Sequence, residues 1–367
     1  KRQLFEMLIY KFRELDVIYN SNLFSKHDCE TWKEYSDATQ DAINTLYGHD
    51  LYKYDFDHIP LDILGGVYES YLGYVSKSPV GGDKSTRGEK RKSQGIYYTP
   101  KYIVDYIVKN TLGEVLKLCQ SIADLNKIRV LDPACGSGPF LTEALEMIND
   151  KYKDFGRVGG QETKSEICLS NIYGVDLDPK AVELAKLNLL IDILDTKGKL
   201  PDLTANVRNG NSLIDDDKIA GRLAFKWNEE FPEIMSSKGF DVIIGNPPYI
   251  KEYTNKLAFD GLHDDPYYQG KMDIWTFFAC RSIDLLKDGG YFSFIAPNNW
   301  LTNTGASIFR NKILSEGQII KFVDFGDFKV FEDAGIQTMI FIFRKGTPRK
   351  IYQTTYAKIR DKNIREE

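Results

Sequence analysis

Hydrophobic positions in the first 75 residues recur at helical spacing. One stripe consists of Leu4, Phe5, Leu8, Ile9, Phe12, Leu15 and Ile18, and a second stripe runs between residues 61 and 72. Apolar residues that lie three and four positions apart share one face of a helix. We therefore predict a helical N-terminal region over residues 1–75.

From about residue 100 onward, short β-forming runs alternate with helical patterns. The β runs are residues 128–131, 172–175, 242–244, 291–295, 319–325 and 338–343. The helical patterns are residues 139–148, 179–194, 274–286 and 307–314. This alternation predicts an α/β domain with a parallel sheet that is covered on both faces. The last two β runs have no helical pattern between them, so we expect them to form an antiparallel hairpin.

The composition is that of a globular chain. Of the 367 residues, 42% are hydrophobic and 28% are charged, which argues against a disordered or coiled-coil protein. No stretch approaches the roughly 20 apolar residues of a membrane-spanning helix, and no leader peptide is visible. We expect a cytoplasmic protein without membrane contact. Because the chain starts at Lys1 and ends in a charged run, we also expect a fragment of a longer protein.

Cysteine and histidine spacing supports neither a metal site nor a disulfide framework. The five cysteines lie far apart without a CxxC pair, and the four histidines include no HExxH arrangement. Cys135 lies in a glycine-containing turn with no histidine nearby in sequence. We interpret it as a packing residue rather than a nucleophile, and we predict no bound metal.

Positive charge is concentrated in one window. The net charge of the chain is −5, which argues against binding nucleic acid through a bulk positive field. Residues 76–101 nevertheless contain seven basic and two acidic side chains. We predict a basic linker over residues 76–94, which is either solvated chain or a contact to nucleic-acid phosphates.

A glycine-containing turn follows the first β run, in Val130-Leu-Asp-Pro-Ala-Cys-Gly-Ser-Gly-Pro-Phe140. Gly136 and Gly138 allow the backbone to approach a ligand closely, and a proline favours the helix start that follows. The third glycine of the GxGxxG fingerprint is absent, which disfavours NAD. Asp132 would repel a pyrophosphate but suits the amino group and sulfonium of S-adenosylmethionine. The turn therefore favours S-adenosylmethionine as the cofactor.

The second β run ends in a carboxylate, in Tyr173-Gly-Val-Asp-Leu-Asp178. At such a strand end Asp176 can accept hydrogen bonds from both ribose hydroxyls of the cofactor, while Leu177 packs on its adenine. Asp178 and Pro179 are suited to cap the next helix. This leaves Asp176 for the ligand.

The strongest signal is Asn246-Pro247-Pro248-Tyr249, directly after the apolar run at 240–245. A surface turn is the alternative, because Asn-Pro and Pro-Pro favour turns, but the chemistry favours catalysis. The side-chain oxygen of Asn246 and the carbonyl of Pro247 can accept both hydrogens of a planar amine, such as the exocyclic amine of adenine. This localises the lone pair of the amine on nitrogen. Tyr249 offers a ring face for a base removed from a duplex.

Five motifs in order give residues 95–346 a resemblance to a known family. They are Gly95-Ile-Tyr-Tyr-Thr-Pro100, Asp132 to Gly138, Gly174 to Asp178, Gly210-Asn-Ser-Leu213 and Asn246 to Tyr249. This segment resembles the catalytic domain of DNA adenine-N6 methyltransferases of the gamma motif order, as found in large single-chain (type IIG-like) restriction-modification enzymes. The resemblance implies a Rossmann-like fold with a mostly parallel seven-stranded sheet, duplex DNA as the partner and a prokaryotic cytoplasm.

The resemblance also implies residue roles at the cofactor. Thr99 would contact the cofactor carboxylate, and Phe140 would flank the methionine part. Asn211 stands where the family often has an aspartate, and Phe278, beside Phe277, matches an aromatic near the cofactor adenine. The predicted cofactor-binding set is Thr99, Asp132, Ala134, Gly136, Gly138, Phe140, Asp176, Leu177, Asn211, Ser212 and Phe278.

The target base would lie between two aromatic rings. Phe331 matches the family aromatic that closes on the flipped base opposite Tyr249, with packing in the hairpin as its alternative role. Residues 250–270 are a further candidate for DNA contact. Residues 347–367 would begin a target-recognition region. In the fused enzymes of this family a nuclease domain can lie upstream, and the resemblance leaves open whether the parent chain of this protein has one.

Two other function classes stay open from the residues alone. The Asn-Pro-Pro-Tyr motif also occurs in methyltransferases that act on a protein glutamine amide or an RNA guanine. A non-catalytic scaffold that keeps a cofactor pocket is the third class. The motif at 95–100 and the helical N-terminal region favour the DNA enzymes.

Overall fold

The computed structural model of the protein describes residues 2–19, 26, 41, 44, 99–194, 198–331, 335–348 and 350–359. The first helix, α1, spans Arg2–Tyr19, which confirms the helix predicted from the first apolar stripe. The second stripe at 61–72, the basic linker at 76–94 and the start of the first motif at 95–98 lie outside the described residues.

The described residues contain one eight-stranded sheet. Its strands are β1 (Val130–Asp132), β2 (Ile172–Asp176), β3 (Val207–Asn209), β4 (Phe240–Gly245), β5 (Leu286–Pro297), β6 (Gly317–Asp324), β7 (Thr338–Lys345) and β8 (Thr355–Lys358). Their order across the sheet is β3-β2-β1-β4-β5-β7-β6-β8. The first five strands run parallel, and β7 lies antiparallel between β5 and β6. The predicted mostly parallel sheet with its antiparallel hairpin is confirmed.

An eighth strand extends the seven that the resemblance implies. β8 pairs in parallel with β6, and Tyr356 lies opposite Phe322. The Tyr356 hydroxyl also donates to Asp324 Oδ2 at 2.8 Å. Part of the segment predicted as the start of a recognition region therefore joins the edge of this sheet.

Among the described residues, six longer helices flank the strands. They are α2 (Lys101–Leu116), α3 (Pro139–Asp154), α4 (Gln161–Asn171), α5 (Pro179–Ile193), α6 (Trp275–Leu285) and α7 (Ser307–Ser315). Shorter α-helical and 3₁₀ segments occupy Ile122–Leu125, Asp217–Ala220, Gly221–Leu223, Trp227–Glu230, Pro232–Ser236, Lys256–Phe259, Asn298–Leu301 and Thr304–Ala306. Among the described residues, no helix combines the length and apolarity that crossing a bilayer requires.

The central strands are covered on both faces. Successive residues of β1 and of the second half of β5 are all buried, which is the pattern of a strand packed on both sides. Because β1 to β4 run parallel, their carboxyl ends meet at one edge of the sheet. Asp132, Asp176 and Gly245 end three of these strands, so the predicted site residues converge at that edge.

Candidate active site

The glycine turn and the Asn-Pro-Pro-Tyr segment meet at Asp132. This residue is 1% exposed, and Ala134 N–H donates to its Oδ1 at 3.1 Å. A methyl group placed on Gly245 would lie only 2.6 Å from the same oxygen. The end of β4 therefore lies directly against the carboxylate that ends β1.

Burial raises the pKa of Asp132 well above its ordinary value, and the nearby charge of Asp176 adds to the effect. Ionising a carboxylate in this environment costs free energy, and a nearby cation would lower that cost. A positively charged group would therefore be favoured at this position, and the predicted contact of Asp132 with a cofactor stays a prediction.

The glycine turn has the conformation that its glycines permit. Gly136 and Gly138 have φ angles of 53° and 85°, which L side chains rarely adopt. A methyl group on Gly138 would also approach Cβ of Ala185 to 3.1 Å, whereas one on Gly136 would meet no atom within 4 Å. The turn thus packs closely on α5 at Gly138 and borders open space at Gly136.

Buried contacts hold the turn in place. Cys135 N–H donates to the Val175 carbonyl at 3.0 Å, and Asn188 Nδ2 donates to the Ser137 carbonyl at 2.9 Å. Cys135 is 2% exposed, and burial raises the pKa of its thiol well above the ordinary value. A buried neutral thiol is a poor nucleophile, which agrees with its interpretation as a packing residue.

Asp176 connects the second strand to the glycine turn. Its Oδ2 accepts a hydrogen bond from Gly136 N–H at 2.9 Å, and its Oδ1 accepts one from Asp178 N–H at 2.8 Å. Burial raises the pKa of Asp176 to about 6, although these backbone bonds act against the rise. The adjacent Leu177 is 56% exposed. The Asp178 side chain accepts a hydrogen bond from Lys180 N–H and caps α5. This confirms the predicted capping role of Asp178, whereas the ligand contact of Asp176 stays a prediction.

Residues of the Gly210-Asn-Ser-Leu213 motif also contact the glycine turn or its neighbours. Ser212 is buried, and its hydroxyl donates to the Pro133 carbonyl at 2.6 Å. Asn211 Oδ1 accepts from Leu213 N–H at 3.1 Å. Ser212 therefore fixes the backbone between Asp132 and the glycines. Its predicted contact with a cofactor stays a prediction.

The predicted aromatic residues differ in exposure. Phe140 is 1% exposed within the core. Phe277 is 2% exposed and packs edge-on against Phe259, with ring centroids 6.1 Å apart. Phe278 is only partly buried. Of the two neighbouring phenylalanines, Phe278 is the one with surface left for a ligand.

Hydrogen bonds join the Asn-Pro-Pro-Tyr segment to the first motif and to β5. Asn246 Nδ2 donates to Thr99 Oγ1 at 3.0 Å, although 147 positions separate the two residues. The Tyr249 hydroxyl lies 2.5 Å from Asn246 Oδ1 and 2.9 Å from the Ile295 carbonyl. Thr99 and Tyr249 are 4% and 5% exposed, whereas Asn246 is partly exposed. The structure thus brings Thr99, Asn246 and Tyr249 together.

Phe331 lies beside Tyr249, and its predicted role in closing on a flipped base stays a prediction. Their ring centroids are 6.2 Å apart at an interplanar angle of 63°, and Phe331 is 6% exposed. A base held between parallel rings needs a centroid separation of roughly 7 Å, twice the carbon contact distance. In the arrangement described here, the two rings pack on each other.

Comparisons with known proteins agree with this geometry. A family model described as Eco57I restriction-modification methylase matches residues 170–331, and one described as RMKL-like methyltransferase domain matches residues 116–195. The type II restriction enzyme and methyltransferase RM.Eco57I of Escherichia coli is 32% identical, over 93% of this chain and 37% of its own length. The chain belongs to the Eco57I-type restriction-modification methylases. The type II methyltransferase M.BanIII of Aneurinibacillus aneurinilyticus is 28% identical, over 70% of this chain and 39% of its own.

This Eco57I-type chain spans less than two fifths of the length of those two relatives. Solved structures show the same fold. The DrdV–DNA complex matches 92% of this chain with a TM-score of 0.61 and 18% identity, over 33% of its own length. A nuclease-deletion mutant of the restriction-modification enzyme LlaGI, in complex with a DNA substrate mimic, matches 97% with a TM-score of 0.55 and 17% identity, also over 33% of its length.

The Eco57I-type chain also contains features that the sequence analysis missed. A second small core forms beneath the loop that follows Tyr249; it consists of Leu213, Ile214, Phe259, Leu262, Met272, Ile274 and Phe277. On the surface of this loop Tyr253 is 73% exposed, and Lys251 Nζ lies 5.8 Å from its ring centroid. The loop predicted to contact DNA is therefore a packed element with a basic side chain and an aromatic ring at its surface.

A buried carboxylate adjoins this loop. Asp273 pairs with Lys251 in an antiparallel bridge and is 7% exposed. Burial raises its pKa to about 7, while Lys251 and nearby backbone N–H groups oppose the rise. In the sequence, an aspartate before an apolar helix indicates only a helix cap. Within the described ranges, no group of three or more His, Cys, Asp or Glu side chains is arranged to hold a metal ion.

Proposed function

We propose that this chain is the catalytic part of a site-specific DNA methyltransferase that transfers a methyl group from S-adenosylmethionine to N6 of adenine. The proposal depends mainly on the close approach of the end of β4 to the Asp132 carboxylate. This approach places the Asn-Pro-Pro-Tyr segment, which can bind an amine, beside the glycine turn, whose carboxylate favours a cation. Relatives named adenine-specific methyltransferases, such as PglX of Streptomyces coelicolor at 25% identity, support adenine as the target. The chain would serve as the modification part of a restriction-modification or phage-defence enzyme.

The residues at the sheet edge fit the cofactor. Asp132 would face its cationic part, and Asp176 would accept hydrogen bonds from its ribose hydroxyls through the lone pairs left by Gly136 and Asp178. Gly136 borders open space where a side chain would stand, so the backbone there can approach a ligand. When bound, S-adenosylmethionine supplies an activated methyl group on a sulfonium centre.

Asn246 and Pro247 would hold the amine in the reactive geometry. Asn246 Oδ1 and the Pro247 carbonyl each accept one N6–H, and this draws the lone pair of the nitrogen out of conjugation with the ring. The two successive prolines fix φ at 247 and 248, so the carbonyl needs little reorganisation during the reaction. The residues thereby supply electrostatic preorganisation rather than a strong base.

The target adenine would leave the duplex and stack on Tyr249. Entry of the base requires the rings of Tyr249 and Phe331 to separate, because their present T-shaped contact leaves no gap of the thickness of a base. The exposed Tyr253 and the partly buried Lys251 lie just beyond the Asn-Pro-Pro-Tyr segment. They are placed to contact the DNA backbone and a neighbouring base.

Transfer of a labelled methyl group tests this function. Duplex DNA, glutamine-containing peptides and structured RNA are offered side by side, and adenine-N6 in DNA is the expected acceptor. Asn246→Ala should lower the transfer rate by about a hundredfold or more, while the dissociation constant for S-adenosylmethionine, measured by calorimetry, changes less than about twofold. Asn311→Ala, at an exposed position of α7, is the matched control and should leave both quantities unchanged.

Three results would oppose the proposal. Labelling of the peptide or the RNA instead of DNA would assign the chain to another methyltransferase class. Cofactor binding without transfer to any acceptor would indicate a scaffold. Equal loss of rate and cofactor affinity in Asn246→Ala would assign Asn246 to folding.

A further inference from the structure

Asn246 is held at both ends of its amide. Nδ2 donates to Thr99 Oγ1 at 3.0 Å, and Oδ1 accepts from the Tyr249 hydroxyl at 2.5 Å. The torsion that sets the plane of an asparagine amide is otherwise broad, because it joins an sp³ and an sp² carbon. These two contacts therefore fix the plane of the amide, and with it the direction in which Oδ1 presents its lone pairs.

The contact at the oxygen end is replaceable. Tyr249 has one hydroxyl proton but lies within hydrogen-bonding distance of two acceptors, Asn246 Oδ1 and the Ile295 carbonyl at 2.9 Å. When a substrate amine donates to Oδ1, the Tyr249 proton can turn to Ile295 without being left unpaired. In the substrate complex, the Thr99 contact is then the one of the two that still holds the amide.

We infer that Thr99 is a positioning residue for methyl transfer, which acts by holding Nδ2 of Asn246 while Oδ1 accepts the target amine. The inference rests on the proposed function. It differs from the predicted role of Thr99 at the cofactor carboxylate, because it concerns the rate of transfer and not the affinity for the cofactor. Thr99 is 4% exposed, so its hydroxyl is largely shielded from solvent.

Two substitutions separate the hydroxyl from the packing of Thr99. Thr99→Val keeps the branched shape and removes Oγ1, whereas Thr99→Ser keeps Oγ1 and removes a methyl group. We expect Thr99→Val to lower the transfer rate at saturating substrates by about tenfold, the rate equivalent of one net hydrogen bond. Thr99→Ser should stay within about threefold of the wild type. The dissociation constants of both variants for S-adenosylmethionine and for DNA should remain within about twofold.

Three outcomes would overturn the inference. The first is a Thr99→Val enzyme with the wild-type rate. The second is an equal loss of rate in the Ser and Val variants, which would mean that packing matters and the hydroxyl does not. The third is a loss of cofactor affinity in Thr99→Val that matches its loss of rate, which would place the effect at the cofactor.

A spectroscopic measurement keeps the inference testable if the wild-type protein transfers no methyl group. The side-chain amide signals of Asn246 are assigned by their disappearance in Asn246→Asp. They should shift in Thr99→Val and stay near their wild-type positions in Thr99→Ser. Unchanged signals in Thr99→Val would overturn the contact itself, whereas an inactive wild type with shifted signals would count against the proposed function alone.

Discussion

Replacing Asp176 by asparagine should change stability in a way that depends on pH. The carboxylate is held between Gly136 N–H and Asp178 N–H, and burial raises its pKa from 3.8 to about 6. Above pH 6 the group is charged in both the folded and the unfolded chain, so folding must place a charge in a partly buried site. Below about pH 4 it is protonated in both states, and this cost disappears.

The size of the effect follows from the two pKa values. A rise from 3.8 to about 6 corresponds to about 3 kcal/mol of destabilisation at pH 7.5, of which about half remains at pH 5. Asparagine removes this cost. It also leaves one of the two N–H groups without an acceptor, at a cost of about 1–2 kcal/mol at any pH. Asp176→Asn should therefore be more stable than the wild type by about 1 kcal/mol at pH 7.5 and close to it at pH 5.

Urea unfolding of the wild type and Asp176→Asn at pH 5 and pH 7.5, at constant ionic strength and without cofactor, measures this difference. The stability difference between the two proteins should change by about 1–2 kcal/mol between the two pH values. Asp264→Asn, at an exposed position, is the control and should show no such change. A stability difference for Asp176→Asn that is the same at both pH values would refute the raised pKa and the reasoning built on it.

Two further substitutions test the site and the surface. Gly245→Ala should cost about 1–3 kcal/mol of stability and weaken cofactor binding, because its methyl group would lie 2.6 Å from the buried carboxylate that ends β1. Denaturant titration measures the stability, and calorimetry measures the cofactor affinity. The control is Gly335→Ala, where the methyl group meets nothing within 4 Å. Replacing Lys251 and Lys256 together by alanine should weaken DNA binding and reduce the slope of log K against log salt by about 2. Fluorescence anisotropy at several salt concentrations measures that slope, and Lys127→Ala, near the opposite end of β1, should not change it.

The central part of the fold was predictable because its strands are hydrophobic runs. β2 and β4 carry almost unbroken apolar residues that end at Asp176 and Gly245, which is the pattern of strands buried on both faces. Two edge strands have no such pattern. β3 is the three-residue Val207–Asn209 with one buried side chain, and every residue of β8 is exposed. Their place is set by backbone pairing with a neighbour, which hydrophobic periodicity does not encode.

The segment at 150–170 shows a different limit. It shows no clear helical pattern in the sequence, but it contains α4, whose buried positions include Thr163, Cys168 and Asn171. The apolar stripe is weak because two of these buried side chains are polar. These polar side chains donate hydrogen bonds to backbone carbonyls. Asn171 Nδ2, for example, donates to the carbonyl oxygens of Leu125 and Ile128. A polar residue that donates hydrogen bonds inside the core looks like a surface residue in the sequence.

At the site, short motifs were predictable and contacts between motifs were not. The Asn246 to Tyr249 segment and the glycine turn each have a local pattern that indicates their chemistry. The hydrogen bond from Asn246 to Thr99 joins residues 147 positions apart, and the Tyr249 hydroxyl reaches a carbonyl of β5. Such contacts arise from the order of strands in the sheet, which brings distant motifs to one edge, and no spacing rule along the chain reveals them.

The two carboxylates at this edge work against the stability of the fold. Asp132 and Asp176 end adjacent strands, each is raised in pKa chiefly by burial, and the charge of Asp176 makes ionisation of Asp132 harder. A packed domain gains nothing from this arrangement by itself, and violations of this kind are typical of ligand sites. A ligand that carries positive charge and hydroxyl donors relieves both costs, since it favours the ionised form of each carboxylate. The same electrostatics that destabilise the free protein would favour a cationic nucleoside over a pyrophosphate cofactor, which supports S-adenosylmethionine as the proposed methyl donor.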